Sequence, residues 1–428
     1  MGIFGKTSQI LFLWLTSYLS AGSVFLTNIL LARMLTTSDL GVYFSTVAIL
    51  NILVQVGLFG TPTFLLKVFG EEGWAANRWI PSVKVIVILS SVCSILLLLC
   101  YSYMSSDNAQ YRLVVFIMSP FIIGQILLEL SVCKLQLEER FNQVSYLQLI
   151  PQSLRFLLVL VLFFSNYSSE LLLVSLAVGV SGLFVTVFCS YQIKSLFSGE
   201  VELFGHGNQS VTYQNRPDIA LLFKSSFPFF LASFLYLVYF QLNIVLINHL
   251  SSPSDAGVYG MAFSVLMVLY LAPNILYQKF FLPKIHRWVN SDTDKVVLFY
   301  DKGNAFMFLI GVTLSLLMYF FSKSLLVLVF GPAMIDGFEI LSLLLIAVPF
   351  RFLATSTGSI LNARNYLTSK LKVMMSASIL SLIVGWFFIT LYGAKGAAVT
   401  AIIVDIYISF GYMILSKKMI KEISQVKI

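Results

Sequence analysis

Charged residues are scarce in this sequence of 428 residues. Asp, Glu, Lys and Arg together make up 11% of it, whereas a typical soluble domain has about 25%. Apolar residues make up 58%. A water-soluble fold of this composition would expose too much apolar surface, which excludes a soluble enzyme. The 27 basic against 19 acidic residues do not require a nucleic-acid partner, because cytoplasmic loops of membrane proteins also collect Lys and Arg.

Residues that build metal and catalytic sites are also scarce. There are 3 His and 4 Cys, and no cysteine pair has the spacing of metal ligands. The cysteines lie in or at the ends of apolar runs and are predicted to be buried and reduced: Cys93, Cys100, Cys133 and Cys189. The sequence has no phosphate-binding lysine loop, no HExxH and no nucleophile elbow. We therefore predict that the protein is not an enzyme and has no cofactor, metal or nucleic-acid partner.

Long apolar runs dominate what is present. About 20 apolar residues cross a bilayer as a helix, and the sequence contains twelve runs of that kind. They predict an all-α integral membrane protein with twelve transmembrane helices, at residues 9–32, 40–62, 82–104, 111–133, 143–165, 171–192, 221–248, 256–278, 303–322, 338–360, 370–392 and 395–416.

The distribution of basic residues predicts the orientation in the membrane. If both termini are cytoplasmic, most Lys and Arg fall in cytoplasmic segments, as the positive-inside rule requires. The basic residues left in outer segments are Arg33, Arg112, Lys323 and Lys395.

The sequence contains an internal repeat, because residues 38–43 recur as residues 254–259. Both copies read Ser-Asp-x-Gly-Val-Tyr. We expect the aspartates to cap the following helix, the glycines to permit close helix contact, and the tyrosines to lie at the outer membrane boundary. Ordinary turn residues are the alternative. The residues are Asp39, Gly41, Tyr43, Asp255, Gly257 and Tyr259.

The repeat divides the sequence into two halves of six spans. We predict an N-terminal lobe (1–192), a cytoplasmic linker (193–220), a C-terminal lobe (221–416) and a basic cytoplasmic tail (417–428). Because each half has an even number of spans, both halves enter the membrane from the same side. Such parallel repeats are typical of two-lobed alternating-access transporters.

Three short segments carry a family resemblance. Residues 33–43, the second copy at 255–259, and residues 392–398 (Tyr-Gly-Ala-Lys-Gly-Ala-Ala) resemble bacterial polysaccharide-export flippases of the Wzx type. These flippases belong to the multidrug/oligosaccharidyl-lipid/polysaccharide (MOP) superfamily. The resemblance implies two six-helix lobes that form a V around a central cavity.

The same resemblance implies a cargo, a place and partners. The cargo would be an oligosaccharide repeat unit on polyprenyl pyrophosphate, moved from the cytoplasmic to the periplasmic leaflet of the bacterial inner membrane. The process served would be O-antigen or capsule assembly. Partners would be the lipid-linked oligosaccharide, membrane lipids, a polysaccharide polymerase and a chain-length regulator.

Four charged residues lie inside predicted spans and away from their ends, where an unpaired charge costs several kcal/mol: Arg155, Arg351, Glu129 and Asp405. One or both arginines are candidates to bind the pyrophosphate in the cavity, because a guanidinium binds phosphate oxygens bidentately and stays charged. The alternatives are a structural ion pair, such as Arg351 with Glu129, or snorkelling. Glu129 and Asp405 are candidates for a coupling ion or proton, with structural pairing as the alternative.

Uncharged polar residues and two outer basic residues complete the candidate site. Arg33 and Lys395 flank the outer opening and could attract an anionic head group, although ordinary loop residues would look the same. Polar side chains in the first, second and seventh spans could bind sugar hydroxyls or simply join helices: Asn28, Asn51, Gln55, Tyr239 and Asn243.

Two other functions remain open from the sequence. A drug or small-molecule antiporter of the same superfamily should show acidic intramembrane residues, whereas here both signs occur. A membrane-embedded polymerase or glycosyltransferase usually needs a large extramembrane loop, and the repeat also argues against it.

Overall fold

The computed structural model describes residues 3–105, 109–165, 170–203, 216–274, 277, 285, 293–361 and 366–425. Within these ranges every regular element is a helix, and no strand is present. The α-helices are α1 (Ile3–Met34), α2 (Thr37–Leu58), α3 (Thr61–Glu72), α4 (Ile80–Ser105), α5 (Ala109–Met118), α6 (Pro120–Leu137), α7 (Phe141–Phe164), α8 (Leu171–Phe197), α9 (Ile219–Leu250), α10 (Pro253–Asn274), α11 (Thr293–Phe330), α12 (Gly337–Leu361) and α13 (Leu367–Gln425). Two short 3-10 helices are Gly73–Trp79 and Pro332–Met334.

Some predicted segments lie outside the described residues. They are residues 204–215 of the predicted linker, residues 426–428 of the predicted tail, and residues 275, 276 and 278 of the predicted span 256–278.

Ten helical stretches of the described chain are long and apolar enough to cross a membrane. Two of them, Thr37–Met104 with 68 residues and Leu367–Glu422 with 56, are long enough for at least two crossings of about 20 residues each. The second lies in α13, where Gly393 has non-helical backbone angles (φ 54°, ψ −132°). Large apolar side chains on the helices are exposed, such as Phe320 (76%) and Val187 (74%), as expected where lipid is the solvent. The chain is a multi-pass membrane protein.

Three boundaries differ from the predicted spans. The span 111–133 consists of α5 and α6, because Pro120 lacks a backbone N–H and begins a new helix. The predicted connection between spans 40–62 and 82–104 folds as α3 and a 3-10 helix. The span 303–322 extends into the 38-residue α11, whose first turns contain charged residues that a search for apolar runs omits.

The first two long helices of each half have matched lengths. α1 and α9 both have 32 residues, and α2 and α10 both have 22. The second member of each pair begins and ends 216 residues after the first, the same offset as the sequence motif. The later helices of the two halves lose this register, and α11 has 38 residues whereas α4 has 26.

The described chain forms two compact units. Unit 1 comprises Met1–Met34 and Thr46–Leu237, and unit 2 comprises Leu35–Ser45 and Val238–Ile428. In unit 1, α1 packs on α7 and α6 packs on α8. α6 and α8 approach closely at two glycines, because a Cβ on Gly124 would meet the backbone oxygen of Gly182. The first half of α9 also belongs to unit 1, where Phe223 and Phe230 stack on Phe59 with ring centroids 4.6 and 4.8 Å apart.

In unit 2, α12 is the central helix and packs on α10, α11 and α13. Pro349 interrupts its hydrogen-bond ladder and leaves the carbonyl of Leu345 without its usual donor. The hydroxyl of Ser315 in α11 donates to that carbonyl at 2.8 Å. α11 can approach so closely because a glycine, Gly311, faces Pro349, with only 2.7 Å between an added Cβ and the proline Cα. The proline is therefore tolerated inside the bundle.

The four cysteines are free thiols, but only half of them are buried. Cys133 and Cys189 lie in the interior of unit 1, as predicted, whereas Cys93 and Cys100 are exposed on α4. The prediction of burial was wrong for this pair because an apolar run does not distinguish a lipid-facing position from an interior one.

Candidate functional site

Arg351 and Asp405 form a buried ion pair in unit 2. Arg351 lies in α12 just after Pro349, and its Nη1 donates a hydrogen bond of 3.0 Å to Oδ1 of Asp405 in α13. Each residue is 6% exposed. The acid that contacts Arg351 is thus Asp405, rather than the Glu129 named as an example from the sequence. Two residues given separate candidate roles are partners.

Three aromatic rings surround the guanidinium of Arg351. Its Cζ lies 4.1 Å from the ring centroid of Phe240 and 5.7 Å from those of Tyr239 and Tyr270. Such cation–π contacts stabilise a cation that has been removed from water. Tyr239, a candidate sugar-binding residue, is 6% exposed and lines a small cavity together with Asp405. The arrangement holds one positive and one negative charge in an aromatic interior.

Three side-chain polar atoms in unit 2 are buried without a hydrogen-bond partner. They are Oδ1 of Asn243 and Oδ1 of Asn248 in α9, and the hydroxyl of Tyr259 in α10. Asn243 and Tyr259 are 1% and 2% exposed. A buried polar group left unsatisfied costs about 1–3 kcal/mol.

Arg155 is the second arginine within a span, and its surroundings differ from those of Arg351. It lies in α7, one turn after Pro151, and is half-buried. Its Nε is buried without a hydrogen-bond partner, and its Cζ lies 5.0 Å from the ring centroid of Phe121. No acid within the described residues pairs with it. Arg155 thus supplies a positive charge and an unused donor to unit 1.

The environment of Arg155 contains a further unsatisfied group. The side-chain oxygen of Gln152, one turn earlier in α7, is also buried without a partner. Together the two residues offer one unused donor and one unused acceptor on the same helix. A hydrated polar ligand could bond to both.

Glu129 lies in α6 of unit 1 and is partly exposed. No cation pairs with it among the residues that the structure describes. Cys133 lies one turn later on the same helix. Glu129 and Arg155 of unit 1 therefore have no ion-pair partner among the described residues, whereas Arg351 and Asp405 of unit 2 pair with each other.

The remaining polar candidates are exposed or half-buried. Lys395 is exposed on unit 2 and forms an ion pair with Glu339, while Arg33 is exposed at the end of α1. Asn28, Asn51 and Gln55 are half-buried on α1 and α2. No hydrogen bond joins any of these residues to Arg155 in the described part of the chain.

The two copies of the repeat motif lie against each other within unit 2. A Cβ on Gly41 would collide with the carbonyl of Pro253, and one on Gly257 with the carbonyl of Thr37. The hydroxyls of Thr37 and Ser254 are 2.9 Å apart. The glycines therefore permit a close crossing of α2 and α10.

The aspartates of the motif support helix caps indirectly. The backbone N–H of Asp39 donates to the hydroxyl of Thr36 at 3.2 Å, and that of Asp255 donates to Ser252 at 3.1 Å. The hydroxyl of Thr36 donates in turn to the Asp39 carboxylate at 2.7 Å. The capping oxygens thus belong to Thr36 and Ser252, and the carboxylates stabilise the first turn near the positive end of its dipole.

The tyrosines of the motif are interior residues. Tyr43 is 3% exposed and Tyr259 is 2% exposed, and their predicted place at the outer membrane boundary stays a prediction. The ring of Tyr259 stacks on Phe263, with centroids 5.8 Å apart.

The rings of Phe240 and Tyr270 were not identified from the sequence. The chain has 38 Phe and 20 Tyr, and nothing local distinguishes these two. Tyr270 could have been found only by assuming that aromatic residues of the neighbouring helices contact an arginine buried within the membrane.

Comparisons with known proteins agree on the family and the fold. A family model described as "Polysaccharide biosynthesis protein" matches residues 7–287. No curated protein gives a sequence match. Among solved structures, the chain is similar to lipid II flippase MurJ in an inward closed conformation, with 14% identity, a TM-score of 0.71, and coverage of 96% of this chain and 90% of that one.

Multidrug transporters give comparable matches. An inward-facing MATE family transporter of the MOP superfamily has 12% identity, a TM-score of 0.69, and coverage of 95% and 96% of the two chains. An outward-facing MATE transporter has 12% identity, a TM-score of 0.67, and coverage of 97% and 96%. At these identities the structures show the fold alone. The chain thus has the fold of these transporters.

Proposed function

Because this chain belongs to the polysaccharide biosynthesis protein family and has the fold of MOP-superfamily transporters, we propose that it is a flippase of the Wzx type. Its cargo is an oligosaccharide repeat unit on polyprenyl pyrophosphate. It moves this cargo from the cytoplasmic to the periplasmic leaflet of the bacterial inner membrane, for O-antigen or capsule assembly. It acts without catalysing a reaction, beside a polymerase and a chain-length regulator.

The proposed architecture follows the sequence prediction. Splitting Thr37–Met104 at α3 and Leu367–Glu422 at Gly393 turns the ten stretches into twelve crossings. We propose that residues 1–192 and 221–416 form two lobes of six helices, joined by a cytoplasmic linker, in a V around a central cavity. Both termini then lie in the cytoplasm, as the distribution of Lys and Arg favours.

The observation that carries the choice of substrate is the unpaired Arg155. A guanidinium within a span, with a buried Nε and no acid beside it, is costly unless something anionic or water binds it. Pyrophosphate supplies oxygens that match the fork of an arginine. Arg155 is accordingly the proposed contact for the head group, with Gln152 available to a neighbouring hydroxyl.

The charged head group of this cargo needs a cationic residue such as Arg155 along its route. Burying a charged glycan head in hydrocarbon would be prohibitive, so the protein must supply a hydrated, cationic route. The polyprenyl tail can stay in lipid meanwhile. With the cytoplasm negative, outward movement of each negative charge is favoured by about 2.3 kcal/mol per 100 mV.

Replacement of Arg155 tests the proposal. Arg155→Gln should lower export by about tenfold or more, since a charge-assisted hydrogen bond contributes about 1.5–3 kcal/mol. The measurement is the fraction of lipid-linked repeat units accessible from the periplasm, in cells that lack the native gene, with protein levels matched.

A matched control is available in Arg112. It is also half-buried, and its Cζ lies 5.1 Å from the ring of Tyr103, but it lies at the outer end of the predicted span 111–133 rather than inside it. Arg112→Gln should leave export near normal. Normal export by Arg155→Gln would reject the head-group contact, and repeat units that still reach the periplasm without this protein would reject the flippase.

A second candidate function is a small-molecule antiporter of the same superfamily. The unpaired Glu129 favours it, because an acid without a cation partner can bind a proton or a cationic drug. Expression in a drug-sensitive strain separates the two candidates: an antiporter should confer resistance that Glu129→Gln removes, whereas a flippase should confer none.

A further inference from the structure

A pocket of about 520 Å³ opens on the surface of unit 2. It lies where the start of α10, the start of α12 and the break in α13 come together. Its volume is within the range of about 300–1,000 Å³ that is usual for small-molecule sites. Two of the candidate residues, Asp255 and Lys395, line it, but the roles predicted for them do not account for a pocket of this volume.

The rim of the pocket has many hydrogen-bonding groups. Lys395 and Glu339 form an exposed ion pair there. Lys323 and Asp336 line the same pocket and are exposed, and neither has an ion-pair partner within the described ranges. With Asp255 included, three acids oppose two lysines, so the pocket has a net charge of one negative.

An exposed aromatic residue forms part of the wall. Tyr392 is 62% exposed and stacks on Phe388, with ring centroids 6.2 Å apart and an angle of 29° between the planes. Its position is fixed by the break at Gly393, which follows it. A Cβ on Gly393 would lie 2.6 Å from Oδ2 of Asp255, so the break is packed against the start of α10.

We propose that this pocket binds an uncharged segment of the glycan on the periplasmic side. This inference rests on the proposed function and topology, which place Lys323, Lys395 and the start of α10 on the outer face. A sugar has an apolar face that packs on an aromatic ring, and hydroxyls that bond to carboxylates and ammonium groups around it. The net negative charge disfavours acidic sugars. The pocket thus receives the glycan after the head group has crossed.

Binding of defined sugars to the full-length protein in nanodiscs tests this proposal. The probes are chitobiose and cellobiose, which are uncharged, and digalacturonate, which is acidic. Saturation-transfer NMR should show binding of an uncharged probe at least tenfold tighter than binding of digalacturonate. Tyr392→Ala should weaken it at least tenfold, and Asp336→Asn should weaken it to a smaller extent.

Tyr103 offers a matched control, since it is an exposed aromatic residue (75%) of unit 1. Tyr103→Ala should bind the probes as the unaltered protein does. The proposal is overturned if neither uncharged probe binds, if digalacturonate binds best, or if Tyr392→Ala binds normally while remaining folded. Because binding is measured without transport, a failure here leaves the flippase test with Arg155→Gln unaffected, and a failure of that test leaves the binding result standing.

Discussion

Arg351 and Asp405 are separated by 54 residues in sequence, yet their side chains are 3.0 Å apart in the interior of unit 2. A buried pair of this kind is sensitive to the loss of either partner, because the other charge remains without compensation. Phe240, Tyr239 and Tyr270 stabilise the cation but do not neutralise it. The two charges therefore depend on each other more than on their surroundings.

This dependence predicts an asymmetry between single and double variants. Asp405→Ala should destabilise the protein by about 3–5 kcal/mol, whereas Arg351→Met combined with Asp405→Leu should be near neutral. Thermal unfolding of the detergent-solubilised protein measures both. If the double variant is as unstable as the single one, the pair is more than a structural ion pair. If it is stable but fails to export, Arg351 or Asp405 also contacts the cargo or an ion.

The sequence predicts which charged residues of this ion pair are important, but it does not predict their contacts. Arg351 and Asp405 could be found because charges within apolar runs are rare. Their pairing could not be predicted, since helix rotation decides which faces meet, and an apolar run contains no signal for rotation. The burial of Tyr43 and Tyr259 was missed for the same reason. The sequence shows where a residue lies along a span, but it does not show whether that residue faces the protein interior or the lipid.

At the scale of elements, the crossing of α2 and α10 is the closest contact between the two repeat copies. Gly41 and Gly257 remove the side chains that would hold the helices apart, and Thr37 meets Ser254 at 2.9 Å. The sequence predicted the glycines and their close-contact role from the repeat. It could not predict that the two copies of the motif would pack against each other.

If alternating access separates these copies, locking them together should stop transport. Thr37→Cys with Ser254→Cys, in a background without the four native cysteines, should form a disulfide, because the parent oxygens are already within reach. Export should fall at least tenfold on oxidation and recover on reduction. Each single cysteine variant serves as the control and should be insensitive to oxidant. Normal export by the cross-linked protein would show that the crossing stays closed during transport.

At the scale of the whole molecule, the two halves keep the same register through their first two long helices and then diverge. The matched ends of α1 with α9 and of α2 with α10 follow the offset read from a six-residue motif. The later helices diverge, since α11 has 38 residues, and Gly393 divides α13 into two helical parts. Hydropathy found this boundary because Gly393 and Lys395 lower the apolar content, although it could not show that the helix continues on both sides.

The two units also differ in how their charged residues within predicted spans are paired. Unit 1 keeps Arg155 and Glu129 unpaired, whereas unit 2 pairs Arg351 with Asp405. Transport by such a molecule should respond to the membrane potential mainly through the charge of the cargo. In proteoliposomes, an inside-negative potential should accelerate outward flipping of a pyrophosphate-linked repeat unit, and a carrier with one negative charge should respond about half as strongly, since the electrical free energy scales with charge. Flipping that is insensitive to potential, or that responds equally to both carriers, would mean that a charge on the protein or a coupling ion, rather than the head group, crosses the field.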